Sequence, residues 1–235
     1  MQETQNRSTN NQILNALPEE DYLRLLPDLE PVELLHGKTI YSDGDRISHV
    51  YFPSDAMVSI ISSTKEGHSV EVGVIGREGI AGIDVFLGVD SSYNVGLIQL
   101  PGAGLRIKTE FIKEEFKRGG AFHDLTLRFL HALMFQISQT AVCNKLHLME
   151  ERLARWLLLC HDRSCTDDLP LTQEFLSIML GVNRPSVTLS AVHLQSAGFI
   201  NYKRGMITVT DREGLEDFTC DCYQRVKEDY DKLPR

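Results

Sequence analysis

The 235-residue sequence has no excess of positive charge and no long hydrophobic run. Its 24 Lys and Arg residues are outnumbered by 33 Asp and Glu residues, which gives a formal net charge of −9. Because phosphate binding is driven by cationic contacts and counterion release, this balance excludes a protein that coats nucleic acid non-specifically. The longest apolar runs, such as 156–160, are too short to span a bilayer, and residues 1–12 lack the apolar core of a secretory leader. We therefore expect a cytoplasmic protein with no membrane partner.

Cysteine is scarce and irregularly spaced. There are five cysteines, the first of them Cys143, and an odd number without a regular pattern fits reduced thiols better than a disulfide framework. Cys220 with Cys222, and Cys160 with Cys165, are candidate ligands or redox thiols, but CxC alone is a weak pattern, so reduced structural thiols are favoured. The eight histidines show no HxH or HExxH spacing, and a metal-dependent enzyme on a β-roll would need clustered ligands on its strands. We expect no metal, no cofactor and no enzymatic activity.

The chain divides into a β-rich region and a helical region. From about residue 31 to 106, short β-rich runs such as TIYSDGD, MVSIISS and SVEVGVIG alternate with Gly and Asp. Turn signals such as Asp43-Gly44 and Glu66-Gly67 lie between them, and this pattern indicates an antiparallel sandwich or roll. Residues 11–29 have helical spacing, and the sequence after Lys108 is helical again. The sequence therefore predicts an α+β protein.

A long helix is predicted from roughly Ala121 to Asn144. Its apolar residues follow a 3,4,3,4 spacing, which places them along one seam. The seam consists of Leu127, Leu130, Met134, Ile137 and Ala141. Periodicity alone leaves open whether the roll of the same chain or a second subunit covers it. The next stretch, MEERLARWLLLCHD, forms another amphipathic helix. Its inward face carries Leu153, Trp156, Leu157 and Cys160. The segment DRSCTDDLP then looks like a linker.

The stretch LTQEFLSIMLGVNRPSVTLSAVHLQSAGFI contains two short helices joined by a turn. Thr172 is a good N-cap for the first helix, which stops at Gly181. The second helix begins at Arg184 or Pro185, where a first-turn proline is tolerated. Three apolar residues at i, i+4 and i+7 of this helix can pack on the first one, namely Val187, Ala191 and Leu194. Two helices joined in this way form a helix-turn-helix.

The opposite face of the second helix is almost uncharged. It carries Arg184, Pro185, Ser186, Leu189 and Val192. A solvated helix normally shows Glu and Lys pairs, whereas a face that enters a DNA major groove avoids acidic residues and reads bases with Arg, hydroxyl and apolar groups. After this helix, two β-rich runs surround the turn 203–205, whose cations could hold phosphates. A helix buried on both sides is the competing interpretation. We predict DNA contacts from Thr172, Arg184, Pro185, Ser186, Thr188, Leu189, Lys203 and Arg204.

The order of these elements resembles the Crp/Fnr family of bacterial transcription regulators over nearly the whole chain. GKTIYSDGD is similar to the glycine-punctuated roll of that family, ERLARWLL to the helix after its dimer helix, and the helix-turn-helix is the most specific motif. The resemblance implies a cyclic-nucleotide-binding-like jelly roll over 11–120, a dimerisation helix over 121–144 and a winged helix-turn-helix domain over 145–235. It also implies a homodimer whose seam is shared by two subunits. Its partners would be a palindromic site in double-stranded promoter DNA and, as a further candidate, RNA polymerase.

The departures from the family pattern concern base reading and the effector. Pro185 and Leu189 stand where members usually place an acidic residue and a second arginine, so a different target sequence is expected. Members that bind a cyclic nucleotide hold its phosphate with an arginine, but none lies between Arg77 and Arg106. Iron–sulfur sensors of the family use N-terminal cysteines, which this sequence lacks.

The effector is therefore unknown and is not expected to be cyclic AMP. Asp84 and Asp90 would repel a phosphate in the corresponding stretch, although backbone N–H groups of the turn 79–82 could make an anion site. A degenerate effector pocket is predicted at Gly79, Ile80, Ala81, Gly82, Ser91 and Ser92. The alternative function is a ligand-sensing or redox-sensing regulator that acts through protein partners instead of DNA, and such a protein would not need the cationic turn.

Overall fold

The computed structural model of the protein describes residues 9–234. Two short helices, α1 (Gln12–Ala16) and α2 (Glu19–Leu25), lead into the predicted β-rich region. Its strands are β1 (Glu30–Leu34), β2 (Thr39–Tyr41), β3 (His49–Pro53), β4 (Met57–Ser63), β5 (Ser69–Ile75), β6 (Val95–Leu100) and β7 (Gly102–Lys108). They form two antiparallel sheets in the orders β1-β7-β3 and β2-β6-β4-β5. The predicted antiparallel roll is confirmed.

The larger sheet is covered on both faces. Because successive side chains of a strand point to opposite faces, Val58 and Ile60 of β4 join the core inside the roll. Met57 and Ile61 of the same strand pack against the C-terminal half of the chain. The sheet is thus a wall shared by the roll and the C-terminal elements.

Three helices follow the roll: α3 (Thr109–Arg118), α4 (Ala121–Leu146) and α5 (Met149–His161). Helix α4 has 26 residues, which makes it about 39 Å long. It extends the predicted helix by two residues and inserts Phe122 and Phe129 into the roll core. The inward residues predicted for α5 are all buried, and so are Ala154, Arg155, Leu158 and Leu159, because the helix lies between the larger sheet and the C-terminal helices. Just beyond α5, Arg163 pairs with Glu78 of the roll at 2.7 Å.

The C-terminal elements are β8 (Asp168–Leu169), α6 (Gln173–Leu180), α7 (Arg184–Ser196), β9 (Ile200–Lys203), β10 (Met206–Val209), α8 (Arg212–Phe218) and α9 (Asp221–Tyr230). The three strands form a sheet in the order β8-β10-β9, so the segment interpreted as a linker also supplies the third strand of the wing sheet. Helix α9 returns to pack on α4, where the Gln136 amide donates to the Tyr230 hydroxyl at 2.8 Å. Across residues 9–234 no single helix is long and apolar enough to cross a bilayer, and only α6 with α7, as a bent pair, meets the length and composition test.

Candidate nucleic-acid interface

Helices α6 and α7 form the predicted helix-turn-helix, with an angle of 106° between them. Thr172 caps α6 by accepting a hydrogen bond from the Phe175 N–H at 3.2 Å. Gly181 takes the left-handed conformation, with φ 63°, that ends the helix. Asn183, which the sequence analysis did not single out, caps α7 by accepting from the Ser186 N–H at 2.9 Å. Local capping chemistry therefore sets both helix starts.

The inner face of α7 is buried as predicted. Its residues there are Val187, Ala191 and Leu194, each at most 2% exposed. Helix α6 lies between this face and strand β5, and a side chain added at Gly181 would come within 3.0 Å of Val70 of that strand. The helix-turn-helix thus rests on the roll and turns one face of α7 outward.

The outer face of α7 is open to solvent, so the interpretation of a helix buried on both sides is wrong. The Arg184 side chain is 62% exposed, Leu189 is 57% exposed and Pro185 is also exposed. Two other predicted contacts are half-buried and use their hydroxyls within the protein. Ser186 Oγ donates to Asn183 Oδ1 at 2.8 Å, and Thr188 Oγ1 lies 3.1 Å from Gln173 Oε1 and 3.0 Å from the Arg184 carbonyl oxygen.

The hairpin of β9 and β10 carries the cationic tip. Lys203 pairs with Met206, and the two residues between them have positive φ, 54° at Arg204 and 79° at Gly205. Such a two-residue turn matches the twist of a hairpin but favours Asn or Gly. Arg204 is the one non-glycine residue with positive φ in the range 9–234, and this conformation costs about 1–2 kcal/mol. Lys203 and Arg204 are both exposed.

A groove joins the start of α7 to this hairpin. It is lined by Thr172, Gln173, Arg184, Tyr202, Arg204 and Gly205. The fold therefore brings together three predicted DNA contacts that are far apart in the sequence. Gln173 and Tyr202 were missed, because only the tertiary approach of the two elements places them there. Burial raises the pKa of Tyr202, while the nearby Arg184 charge acts in the opposite direction. Arg184 also lies 3.7 Å from the exposed carboxylate of Glu174, a pair weakened by solvent.

The turn of the predicted effector pocket is occupied by neighbouring side chains and by backbone hydrogen bonds. A side chain added at Gly79 would come within 2.2 Å of the Phe129 ring, and the Gly79 carbonyl accepts from the Asn11 side chain at 2.9 Å. The Gly79 N–H donates to Gly76, and Ala81 exchanges both backbone hydrogen bonds with Tyr51 at 2.9 Å. These two N–H groups of the turn are thus used inside the fold and do not point at an anion.

The two halves of that predicted pocket lie in different surroundings. Gly79, Ile80, Ala81 and Gly82 are buried beside β3 and α4. Ser91 instead bridges to Arg46, and the Ser92 carbonyl accepts from the Gly44 N–H at 2.8 Å. Arg106 does not supply a cation to the roll interior, because it pairs with Glu30 at 2.9 Å on the solvent side of the sheet.

The seam of α4 is divided between two environments. Leu130 is 6% exposed and Ile137 is half-buried against the roll core, so these two residues pack within their own chain. Leu127, Met134 and Ala141, each seven residues from the next, are exposed, with Met134 68% exposed. Leu130 and Ile137 therefore do not belong to the exposed row, since the roll covers that side of the helix.

The cysteines group differently from their order in the sequence. Cys160 is buried beside Gln99, whose amide donates to its Sγ at 3.1 Å, whereas Cys165 is exposed. Cys143, Cys220 and Cys222 meet in one buried cluster.

Comparisons with known proteins agree with this architecture. Residues 151–218 match the family of the Crp-like helix-turn-helix domain. No curated protein matches the chain. Three of the solved structures with the same fold are the following. A candidate transcriptional regulator of the Crp/Fnr family from Eubacterium rectale is 16% identical, with a TM-score of 0.69 over 90% of this chain and 97% of that one. FixK2 from Bradyrhizobium japonicum is 12% identical, with a TM-score of 0.69 over 82% and 98%.

The third structure is a transcriptional regulator of the CRP family from Thermus thermophilus. It is 17% identical to this chain, with a TM-score of 0.64 over 79% of this chain and 95% of that one. At these identities the structures establish the fold alone, while the domain match covers both the helix-turn-helix and the wing. The chain is therefore a Crp/Fnr-type protein in fold, and its residues 151–218 are a Crp-like helix-turn-helix domain.

Proposed function

We propose that the protein is a sequence-specific DNA-binding transcription regulator that acts in the cytoplasm as a homodimer on a palindromic site. The single observation that carries this proposal is the exposed, non-acidic face of α7 beside the cationic tip of the hairpin. Transcriptional regulators are also named among the structures with this fold. A strained arginine at a turn that favours Asn or Gly supports the same view, because its positive charge is placed there at a conformational cost.

Base reading is assigned to the start of α7. In a major groove, the exposed Arg184 guanidinium can donate two hydrogen bonds to a guanine, and Leu189 can contact a thymine methyl group. Arg204 lines the groove described above and Lys203 is exposed next to it in the hairpin, so both can bind phosphates on the flanking backbone. Arg184 must leave Glu174 to do so, which costs little because both side chains are exposed.

The dimer is assigned to the exposed row on α4. Leu127, Met134 and Ala141 recur at the seven-residue spacing of a coiled-coil position, and all three are exposed in the structure. One helix-turn-helix per chain gives two recognition helices in a dimer. On a two-fold site these helices lie about 34 Å apart, one helical turn of DNA.

Binding titrations with variants test the assignment of roles. On a duplex selected by the protein, Arg184→Ala should cost about 1–3 kcal/mol per half-site, with a much smaller loss on a scrambled duplex. Lys203→Ala should weaken binding to both duplexes alike. It should also make the dependence of log K on log salt shallower by about 2, since two phosphate contacts are lost per dimer.

Two matched variants complete the test. Lys65→Ala removes an exposed cation at a turn of the roll and should leave binding unchanged. Glu174→Gln removes the acidic neighbour of Arg184 and should strengthen binding to both duplexes. Equal losses on both duplexes for Arg184→Ala would make it a phosphate contact. If the wild-type protein binds no DNA at concentrations below the millimolar range, the proposed function is refuted. A regulator that acts through protein partners would then be favoured.

A further inference from the structure

Three cysteines and a histidine meet where the long helix ends. Cys143 lies in the last turn of α4 and His147 caps that helix, while Cys220 caps α9 and Cys222 lies in its first turn. Each offers one ligand atom, and these atoms all lie within 4.8 Å of one another. The cysteines are buried, and the His147 side chain is 23% exposed.

Two distances within the cluster match those of a site for one ion, and the other pairs of ligand atoms lie within 4.8 Å. Cys143 Sγ lies 3.5 Å from Cys220 Sγ, and Cys222 Sγ lies 3.6 Å from His147 Nδ1. A tetrahedral zinc site with Zn–S of about 2.3 Å and Zn–N of about 2.0 Å has edges of roughly 3.5–3.8 Å. A cubane iron–sulfur cluster binds each thiolate to a different iron atom, which spreads the ligand sulfurs farther apart than the 4.8 Å seen here.

We propose that Cys143, His147, Cys220 and Cys222 bind one Zn²⁺ in a closed, tetrahedral Cys₃His site. Three thiolates and a neutral imidazole are the donor set of structural zinc sites, and soft thiolate ligands select against Mg²⁺ and Ca²⁺. The CxC motif alone is a weak signal. It becomes specific when the fold adds Cys143, 77 residues away, and the imidazole.

A carboxylate stands behind the histidine. While Nδ1 of His147 faces the cluster, Nε2 is directed toward Asp221 Oδ1 at 3.9 Å, somewhat longer than a hydrogen bond. Histidines that bind zinc commonly direct their other nitrogen to a carboxylate, which fixes the tautomer and raises the basicity of the ligand. Asp221 is therefore a positioning residue of the site.

A buried cation faces the cluster as well. Arg155 of α5 is 3% exposed and lies close enough to the cluster for its charge to act on all three cysteine side chains. Its Nε–H has no hydrogen-bond partner within residues 9–234, and its other nitrogens reach only the Thr140 hydroxyl at 3.4 Å. Zn²⁺ with three thiolates carries a net charge of −1. The occupied site would therefore supply the counter-charge that a buried guanidinium requires.

The site would join two parts of the protein. It connects the end of α4, which carries the exposed apolar row, to the start of α9, which follows the wing and α8. Because the free energy of metal binding adds to that of folding, zinc would hold the C-terminal helices in a fixed position against the long helix. This inference does not depend on whether the protein binds DNA.

The direct test is the metal content of the full chain, expressed with added zinc and purified under reducing conditions without a chelating column. Elemental analysis should give one zinc per chain. Apoprotein titrated with Co²⁺ should show the intense visible bands of a tetrahedral ion and the charge-transfer bands of thiolate ligands. Cys220→Ser and Cys222→Ser should each lose the bound zinc. Cys165→Ser, which changes the exposed cysteine outside the cluster, should keep it.

A second variant examines the positioning residue. Asp221→Asn should keep the cobalt spectrum and raise the zinc dissociation constant about 10–100-fold. If a cysteine variant does not fold, the Co²⁺ spectrum of the wild-type apoprotein still decides the matter. Folded wild-type protein that holds neither ion would overturn the site. So would bound iron with acid-labile sulfide, or zinc retained in both cysteine variants.

Discussion

One buried carboxyl group should make the stability of this protein depend on pH. Glu71 of β5 lies between the roll and α5, where its Oε2 is 2.6 Å from Ser59 Oγ and its Oε1 accepts from the Trp156 indole at 2.7 Å. Burial raises the pKa of Glu71 from 4.5 to about 7, against the opposite effects of these hydrogen bonds and of nearby arginine charges. The fold therefore favours the neutral acid.

The hydrogen bonds explain why the neutral acid fits. Ser59 has one hydroxyl proton but faces two acceptors, the Glu71 carboxyl and the Gln99 side-chain oxygen. A protonated Glu71 can donate to Ser59 Oγ, which then donates to Gln99, so that each contact has a proton. When Glu71 is ionised, one of the two contacts joins acceptors only.

The sign and size of the effect on the free energy of unfolding follow from the pKa of Glu71 in the unfolded and folded states. In the unfolded chain the carboxyl titrates near 4.5, and in the folded protein near 7. Its stabilising contribution is thus complete below about pH 4.5 and is lost as the pH rises through about 7. At about 1.4 kcal/mol per pH unit, the interval between these two pKa values corresponds to roughly 3 kcal/mol of unfolding free energy. Glu71→Gln keeps the shape and stays neutral, so this loss should be absent.

Urea unfolding of both proteins between pH 4.5 and 8.5 measures the effect. The stability of Glu71→Gln relative to wild type should rise by roughly 3 kcal/mol across this range, with most of the change complete by pH 8. Glu66→Gln, at an exposed turn, should show no such trend. A constant difference between wild type and Glu71→Gln at all pH values would refute the reasoning, because it would mean that Glu71 has the same pKa in the folded and unfolded protein.

Three other predictions concern the long helix, the turn beside it and the effector. Met134→Glu, on the exposed row of α4, should leave the fold intact and give a monomer in light scattering at micromolar concentration; a persistent dimer would contradict the assigned seam. Gly79→Ala should lower the free energy of unfolding by about 1–3 kcal/mol, because the new methyl group meets the Phe129 ring; in urea unfolding, a loss below about 0.5 kcal/mol would contradict this packing. Cyclic AMP should show no saturable binding in isothermal titration, because no arginine lies between Arg77 and Arg106 to bind a buried phosphate; micromolar binding that changes DNA affinity would overturn that expectation.

Local signals in the sequence were enough to predict most elements. The β-rich runs that form β4 and β5, the cap at Thr172 and the glycine at Gly181 act within a few residues, so they can be recognised without tertiary information. The helix-turn-helix and the hairpin after it were predicted for this reason. The residues that complete the groove, Gln173 and Tyr202, carry no local signal.

What the sequence could not predict depends on long-range packing. Periodicity placed Leu130 and Met134 on one seam, but only the docking of α4 on the roll decides that Leu130 is buried and Met134 exposed. The same limit applies to the thiol cluster, whose members come from two helices separated by the whole helix-turn-helix. The burial of Glu71 likewise follows from α5 covering the outer face of the larger sheet, which no strand pattern reveals.

The most direct test of the central proposal is a hydroxyl-radical footprint on a DNA fragment selected by the full-length protein. Two recognition helices in a dimer should give two protected patches, related by a two-fold axis and centred about 34 Å apart, with an identical base pattern at each. Arg184→Ala should erase the preference for the selected fragment over a scrambled one. A single protected patch would contradict binding of a palindromic site by a dimer, and so would uniform protection along the whole fragment.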